Sequence, residues 1–171
     1  MMDLKNVIRT IPDYPIEGVL FRDITTVLKD KEALKKSVDE IIKSLENIEF
    51  DYVLGPESRG FIFAMPIAYN MNKGFIPVRK AGKLPAETIS KEYDLEYGSA
   101  TLEIHKDAIK KGDKVIIVDD LLATGGTCKA IIELVESIGA EVVSLNFFIE
   151  LEELKGRELL GDYNICSVVK Y

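Results

Sequence analysis

The sequence predicts an α/β protein built on a mostly parallel, twisted sheet with helices on both faces. Three observations support this prediction. Strand-like and helix-like segments alternate along the chain. Several strand-like segments are apolar on both faces, as strands of a covered parallel sheet are. One of them, VIIVDDLLATGGT (115–127), ends in polar residues just before a helix, where such sheets bind ligands. The 171 residues suit a single domain.

In the first half of the chain, apolar residues at helical spacing predict a helix over residues 34–45. Asp30 precedes it and is a suitable N-cap. Pro66 is expected to bend or break the next helix, because proline lacks the backbone donor that a helix interior needs. In order, the predicted elements are that first helix, the strand DYVLG (51–55), the loop PESRG (56–60), the helix FIFAMPIAYNMN (61–72) and the strand GFIPVR (74–79).

The second half opens with a polar stretch, residues 80–98, that has few apolar residues and no sustained periodicity. A loop of this length inside a compact domain is usually functional or disordered. Regular patterns resume after it. They predict the strand SATLEIH (99–105), the strand KVIIVDD (114–120) in the centre of the sheet, the helix KAIIELVESIG (129–139) ended by its glycine, and the strands AEVVSLNFFIEL (140–151) and YNICSVVKY (163–171).

Composition excludes several classes of function. The net charge of −7 disfavours a general polyanion binder, so no nucleic-acid partner is expected. Cys128 and Cys166 lie far apart and form no C-x-x-C motif, which fits a reducing cytoplasm. His105 is the one histidine, so a multi-histidine metal site is impossible, and we assign it no catalytic role. No apolar run approaches about 18 residues, and no membrane partner is expected.

The loop Ala123–Thr127 has the composition of a phosphate-binding site. It joins a buried strand to a helix and lacks both the P-loop and the dinucleotide-binding signatures. Backbone N–H groups at the start of a helix have no helical partner, and the helix dipole favours an anion there. Two threonine hydroxyls flank the glycines. The loop is therefore expected to hold one phosphate monoester.

Asp119 and Asp120 precede this loop and need a different partner. Two carboxylates at the end of a strand can accept hydrogen bonds from vicinal hydroxyls, or they can hold a hydrated Mg²⁺. Both interpretations remain open from the residues alone. Taken with the phosphate loop, the segment describes a binder of a sugar that carries a phosphate.

The whole string VIIVDDLLATGGT resembles the phosphoribosyl-pyrophosphate signature of the type I phosphoribosyltransferase family. Other segments resemble the adenine branch of that family and stand in its order: IPDYPIEGVLFRDIT, GPESRGFIF, VRKAGKLP, LEYG and LKGRELL. The resemblance implies the fold of that family. It also implies one domain over residues 1–171, in which residues 1–28 form a small base-binding hood.

The resemblance further implies transfer of phosphoribose from phosphoribosyl pyrophosphate to adenine, with Mg²⁺ held mainly through the substrate. Asp119 and Asp120 match the acids that face the ribose, and either is a candidate direct ligand of the metal. A homodimer is implied as well. The remaining matches are the 5′-phosphate loop (Ala123, Thr124, Gly125, Gly126, Thr127), the pyrophosphate site (Glu57, Ser58, Arg59, Gly60, Arg79, Lys80, Lys83) and the adenine site (Val19, Phe21, Arg22).

Two further expectations come from the same resemblance. A non-proline cis peptide is expected between Glu57 and Ser58. The polar stretch 80–98 matches the mobile catalytic loop of the family, with Glu96 and Tyr97 as its Glu-Tyr pair. Glu96 is the predicted proton-handling residue, Tyr97 is its catalytic neighbour, and Arg59 is expected to stabilise the leaving pyrophosphate.

Two alternatives remain at this stage. The same reaction on hypoxanthine, guanine or xanthine is one, because the ribose-phosphate string never meets the base. The other is a non-catalytic regulator that senses phosphoribosyl pyrophosphate. A regulator of that kind usually carries a DNA-binding element, and the chain is acidic and has a short N-terminal arm.

Overall fold

The computed structural model describes residues 2–94 and 99–171. The chain divides into two compact units, Met1–Glu40 and Ile41–Tyr171. The predicted hood, residues 1–28, lies within the first unit, and its role stays a prediction. The elements that begin in the first unit are α1 (Leu4–Val7), β1 (Arg9–Pro12), β2 (Leu20–Asp23), α2 (Thr25–Lys29) and α3 (Lys31–Ser44).

The first unit is organised by an antiparallel hairpin and by side-chain caps. β1 pairs with β2, with Arg9 opposite Asp23, and the two side chains form an ion pair. The backbone and side chain of Thr25, and then Arg9, donate to the Asp23 carboxylate and lower its pKa to about 2. Asp30 Oδ1 accepts from the backbone N–H groups of Glu32 and Ala33, the second and third residues of α3, which confirms the predicted N-cap.

The second unit contains a seven-stranded sheet in the order β5-β6-β4-β3-β7-β8-β9. Five neighbouring strands, from β4 to β9 in that order, are parallel, and β6 and β5 continue the sheet antiparallel at one edge. The bounds are β3 (Tyr52–Pro56), α4 (Arg59–Asn70), β4 (Gly74–Lys80), β5 (Thr88–Asp94), β6 (Ser99–His105), β7 (Lys114–Leu122), α5 (Gly126–Ser137), β8 (Glu141–Glu150), α6 (Gly156–Leu160) and β9 (Ile165–Lys170), with a 3₁₀ turn at Glu152–Leu154.

The predicted mostly parallel sheet is confirmed, and the burial of its central strands explains why they have apolar residues on both faces. Val115, Ile116, Ile117 and Val118 are all fully buried, so β7 is covered on both faces. β7 lies inside the sheet between β3 and β8, although β3 is its middle strand. Alternation in β6 also holds, with Leu102 and Ile104 buried. The burial of apolar side chains on both faces is the main force that holds these strands together.

The prediction that the polar stretch 80–98 is a loop was wrong for residues 88–94. Residues 88–94 of the polar stretch form the strand β5, which pairs antiparallel with β6 along its whole length. Ile89 and Tyr93 pack against the core, and Lys91 between them forms a 2.7 Å ion pair with Glu133 of α5. The alternation of inward-facing residues in β5 was not recognised because Lys91 occupies one of those positions. The residue that neutralises it, Glu133, lies far along the chain.

Helix α4 runs through Pro66 without a break, and it begins two residues earlier than predicted, at Arg59. The predicted helix was therefore correct in kind, and Pro66, which was expected to bend or break it, does not break it. Within the described residues, no helix is long and apolar enough to cross a membrane.

Candidate active site

The acid pair lies within β7, because this strand extends to Leu122 and includes both aspartates. Pairing with β3 ends at Ile117, whereas pairing with β8 continues to Leu122. The last part of β7 is thus held from one side by β8. Asp119 is partly exposed and Asp120 is buried, and Asp119 Oδ1 accepts from the backbone N–H of Asp120 at 2.8 Å.

The loop after β3 brings a cation to these acids. The Glu57–Ser58 peptide bond is cis, which confirms the expectation, and α4 begins at the next residue. Arg59 Nε lies 2.8 Å from Asp120 Oδ2. A Cβ atom at Gly60 would lie 2.9 Å from Asp119 Oδ1, so a glycine is needed for this close approach of α4 to β7.

The pKa values of Asp119 and Asp120 are both raised, so a hydrogen-bond donor or a cation would stabilise the charged form of this acid pair. Burial, and then the neighbouring Asp120 carboxylate, raise the pKa of Asp119 well above its usual range. Burial also raises the pKa of Asp120, but the Arg59 guanidinium opposes the rise. A hydroxyl or a metal ion that approaches the pair would stabilise the charged form of both groups.

The predicted phosphate loop forms a small cavity at the start of α5. Gly125 is the N-cap of this helix at φ +88°, a left-handed conformation that favours glycine. The cavity has a volume of about 90 Å³. It is lined by Asp119, Leu121, Leu122, Ala123, Thr124, Gly125, Gly126, Thr127, Cys128 and Phe147. All five residues predicted for this loop line one cavity together with one of the predicted acids.

Three of the seven predicted pyrophosphate residues contact the carboxylate of a fourth, and we call Glu57, Arg79, Lys80 and Lys83 the Glu57 cluster. Arg79 Nη2 lies 3.0 Å and Lys83 Nζ 3.3 Å from Glu57 Oε2, and the backbone N–H of Lys80 donates to Glu57 Oε1 at 2.8 Å. The Glu57 side chain is only 7% exposed. Burial would raise its pKa, but these donors outweigh burial and lower it.

The structure adds Tyr93 to the residues near the phosphate loop. Its hydroxyl lies 3.4 Å from Thr127 Oγ1, so β5 reaches the start of α5. Sequence reasoning did not select Tyr93, and the alternation of Ile89 and Tyr93 was the signal that could have found it.

The remaining predicted residues fall in two places. Val19 is exposed, and Phe21 and Arg22 are partly buried, all within the first unit. The Phe21 ring contacts Tyr14 edge-on, with 5.1 Å between centroids, and Arg22 Nη1 donates to Thr10 Oγ1 at 2.5 Å. Glu96 and Tyr97 lie outside the described residues.

The carboxyl ends of β3 and β7 therefore carry three kinds of group side by side. The loop after β7 offers backbone donors for a phosphate, and the acid pair offers acceptors for hydroxyls. Arg59 at the start of α4, together with the cations at the end of β4, can bind a second anion. A phosphorylated sugar with a further anionic substituent would use all three.

Comparison with known proteins identifies the class to which this chain belongs. The sequence model of the phosphoribosyl transferase domain matches residues 25–169. Adenine phosphoribosyltransferase of Lachnoclostridium phytofermentans is 59% identical over 100% of this chain and 98% of its own length. The enzyme of the same name from Clostridium novyi is 62% identical over 99% of each chain.

Solved structures give the same result. Adenine phosphoribosyltransferase from Thermoanaerobacter pseudethanolicus superposes with a TM-score of 0.95, at 54% identity and 98% coverage of both chains. The Saccharomyces cerevisiae enzyme, solved with adenine and an imino-altritol bisphosphate, gives a TM-score of 0.90 at 41% identity and 96% coverage of both. The chain thus belongs to the phosphoribosyltransferases and, within them, to the adenine phosphoribosyltransferase family.

Proposed function

We propose that this chain transfers the phosphoribosyl group of 5-phospho-α-D-ribose 1-diphosphate to adenine, giving AMP and diphosphate. The observation that carries the proposal is the placement of the acid pair between the phosphate loop and Arg59. It is supported by full-length similarity to relatives named adenine phosphoribosyltransferase.

The 5′-phosphate is assigned to the loop Ala123–Thr127. Backbone N–H groups at the start of α5, a helix of 12 residues, would donate to the phosphate oxygens, and the helix dipole would favour their charge. Asp119 and Asp120 would accept hydrogen bonds from the ribose hydroxyls. These two contacts would fix the ribose and leave its C1′ atom directed away from the phosphate loop.

Arg59 and the Glu57 cluster are assigned to the pyrophosphate. A guanidinium binds phosphate oxygens in a bidentate fork, and its charge would offset the charge that grows on the leaving group. The base nitrogen would then attack C1′ with inversion. Cys128 is unsuited to act as a nucleophile, because burial and then the Asp119 charge raise the pKa of its thiol.

Mg²⁺ fits this site as an ion carried mainly by the substrate. The described residues contain no group of three or more His, Cys, Asp or Glu side chains that could hold a metal ion. Asp119 and Asp120 supply two carboxylates, which suit a Mg²⁺ that keeps water and substrate oxygens as its other ligands. When bound, the ion would compensate charge on the pyrophosphate.

Glu96 is proposed to handle the proton of the purine, with Tyr97 beside it in sequence. This role is supported by the Glu-Tyr match to the family and by the neighbouring strand β5, which reaches Thr127 through Tyr93. Replacing Glu96→Gln should lower kcat by about 100-fold if Glu96 is a general acid or base. Unchanged turnover would remove Glu96 from the mechanism.

Adenine recognition is assigned to Val19, Phe21 and Arg22. The phosphoribosyl transferase model begins at residue 25, after these three residues, whereas the relatives named for adenine align over the whole chain. An aromatic ring such as Phe21 can stack on a flat purine. The residues that recognise the base would thus lie outside residues 25–169, the region matched by the phosphoribosyl transferase domain.

A competition assay tests the function directly. Adenine, hypoxanthine, guanine and xanthine are supplied together with a fixed amount of phosphoribosyl pyrophosphate, and the nucleotides are separated and counted. AMP is expected to dominate. IMP formation as fast as AMP formation would contradict the adenine assignment. Binding of phosphoribosyl pyrophosphate without turnover of any purine would favour the regulator.

We also propose a homodimer in the cytoplasm. α4 carries three exposed apolar side chains at helical spacing, Ile62 (37% exposed), Met65 (53%) and Tyr69 (82%), so one face of this helix is suited to a second copy. Free thiols at Cys128 and Cys166 suit a reducing compartment. Sedimentation velocity of the wild type and of Met65→Glu would test the dimer, since a charge on this face should produce monomers.

A further inference from the structure

The segment after β8 packs directly behind the phosphate loop. A Cβ atom at Gly156, the first residue of α6, would lie 2.3 Å from the carbonyl oxygen of Ala123 and 2.8 Å from Leu122 Cδ1. Real Cβ contacts are essentially never this short. Gly156 is buried, and its φ lies outside the left-handed region, so the glycine is required by space and not by backbone conformation.

The contact is reciprocal. A Cβ atom at Gly125, in the middle of the phosphate loop, would lie 3.0 Å from the carbonyl oxygen of Gly156 and 3.4 Å from Leu160 Cγ. Leu160 is buried. Two backbones thus meet with no side chain between them, and a shift of α6 would move the phosphate loop directly.

Arg157 fixes the position of this segment. Its Nε and Nη2 atoms donate to the two carboxylate oxygens of Glu150 at 2.6 and 2.8 Å. It also donates to Ser167 Oγ at 3.3 Å and to the carbonyl oxygen of Ile165 at 3.2 Å. Glu150 is buried at the end of β8, so the fork ties α6 to the end of β8, and the bonds to Ile165 and Ser167 tie it to the first half of β9.

We propose that Gly156 and Arg157 are positioning residues of the 5′-phosphate loop. Gly156 lets α6 support the carbonyl of Ala123, and Arg157 holds α6 in that place. Neither residue lines the cavity, so both act through the loop. The inference rests on the proposed assignment of the 5′-phosphate to the loop Ala123–Thr127.

The first test compares two glycine variants by calorimetric titration with ribose 5-phosphate. Gly156→Ala should weaken binding about tenfold or more, because a displacement of the loop by a fraction of an ångström misaligns several donors at once. Gly74→Ala is the matched control. Its Cβ would lie 2.8 Å from Tyr52 Cδ1 at the amino ends of β3 and β4, the edge opposite to the phosphate loop.

Both glycine variants are expected to lose thermal stability, but only Gly156→Ala should lose affinity. Equal affinity of Gly156→Ala and the wild type would overturn the proposal. So would an equal loss in both variants, since that would make the effect one of stability alone.

A milder variant covers the case in which Gly156→Ala does not fold. Arg157→Lys keeps the charge and removes the bidentate fork. It should weaken ribose 5-phosphate binding about threefold to tenfold and raise the KM for phosphoribosyl pyrophosphate more than it lowers kcat. Wild-type affinity in Arg157→Lys would contradict the positioning role.

A variant in the phosphate loop distinguishes failure of the positioning role from failure of the 5′-phosphate assignment. Thr124→Val removes one hydroxyl of the loop itself and should weaken ribose 5-phosphate binding. If Thr124→Val loses affinity while Gly156→Ala and Arg157→Lys do not, the phosphate site stands and the positioning role falls. If Thr124→Val binds as the wild type does, the assigned phosphate site falls and the inference falls with it.

Discussion

The phosphate loop and the Glu57 cluster lie at the ends of β7 and β3, and they present positive charge in different ways. The loop Ala123–Thr127 contains no cation and relies on backbone N–H groups at the start of a helix. The Glu57 cluster relies on Arg79 and Lys83, and a buried carboxylate already accepts hydrogen bonds from both.

Because of this difference, the two sites should respond differently to a ligand. A backbone site has its donors fixed in advance and little to rearrange, so its affinity depends on loop geometry. A side-chain site that is compensated in the free protein must exchange partners when an anion arrives. The same holds for Arg59, which is 2.8 Å from Asp120 and must share its charge with an incoming pyrophosphate.

The largest effect is expected in the phosphate loop. Gly125→Val places a branched side chain at φ +88° and within about 3 Å of the Gly156 carbonyl oxygen, so the loop must move. Affinity for ribose 5-phosphate should fall on the order of 100-fold. Calorimetry should show pyrophosphate affinity within about threefold of the wild type, since independent sites add. Equal losses for both ligands would show that the two sites are not independent.

The second effect is expected at Arg59. Arg59→Lys keeps the charge but loses the planar fork, so kcat/KM for phosphoribosyl pyrophosphate should fall about 10- to 30-fold. Inhibition by added pyrophosphate should weaken in parallel, while ribose 5-phosphate affinity should change little. The result would be contradicted by a variant that loses ribose 5-phosphate affinity and keeps its inhibition by pyrophosphate.

The phosphate loop was also easier to predict from the sequence than the Glu57 cluster. Its parts are contiguous, from the apolar strand to the glycines and the helix, so local pattern was enough to predict a phosphate loop. The Glu57 cluster is made of residues from the loop after β3, from β4 and from the loop after β4, and its ion pairs depend on tertiary contact. The cis bond at Glu57–Ser58 was expected from the family resemblance and not from the pattern of residues.

The same distinction explains the errors in the fold. β7 was predicted correctly from Lys114 to Asp120 because four consecutive aliphatic residues are unambiguous, but its extension to Leu121 and Leu122 was not predicted. The pairing that continues it is supplied by β8, which only the folded chain provides. β5 was missed because Lys91 is neutralised by Glu133 on α5. Local pattern cannot reveal a charge whose partner is distant in sequence.

The third prediction concerns the carboxylate of Glu57 in the Glu57 cluster. Glu57→Gln removes the negative charge that compensates Arg79 and Lys83 and keeps an acceptor for the Lys80 N–H. Pyrophosphate should bind about threefold more tightly at low ionic strength, because the cations then face less competition. Glu87→Gln, on an exposed carboxylate paired with Lys106, is the control and should change nothing. Weaker binding in Glu57→Gln would mean that Glu57 orients the cations more than it neutralises them.

The smallest effect is the dependence of stability on pH. The pKa of Glu57 is lower in the folded chain than its ordinary value of 4.5. The folded state is therefore favoured when Glu57 is charged, and this contribution is present above that value and is lost as the pH falls through the folded pKa. As the pH falls below about 4.5, the wild type should therefore lose more unfolding free energy than Glu57→Gln. Urea denaturation followed by circular dichroism measures this difference. Parallel acid profiles for the two proteins would mean that the Glu57 cluster does not stabilise the fold and that its ion pairs serve the ligand alone.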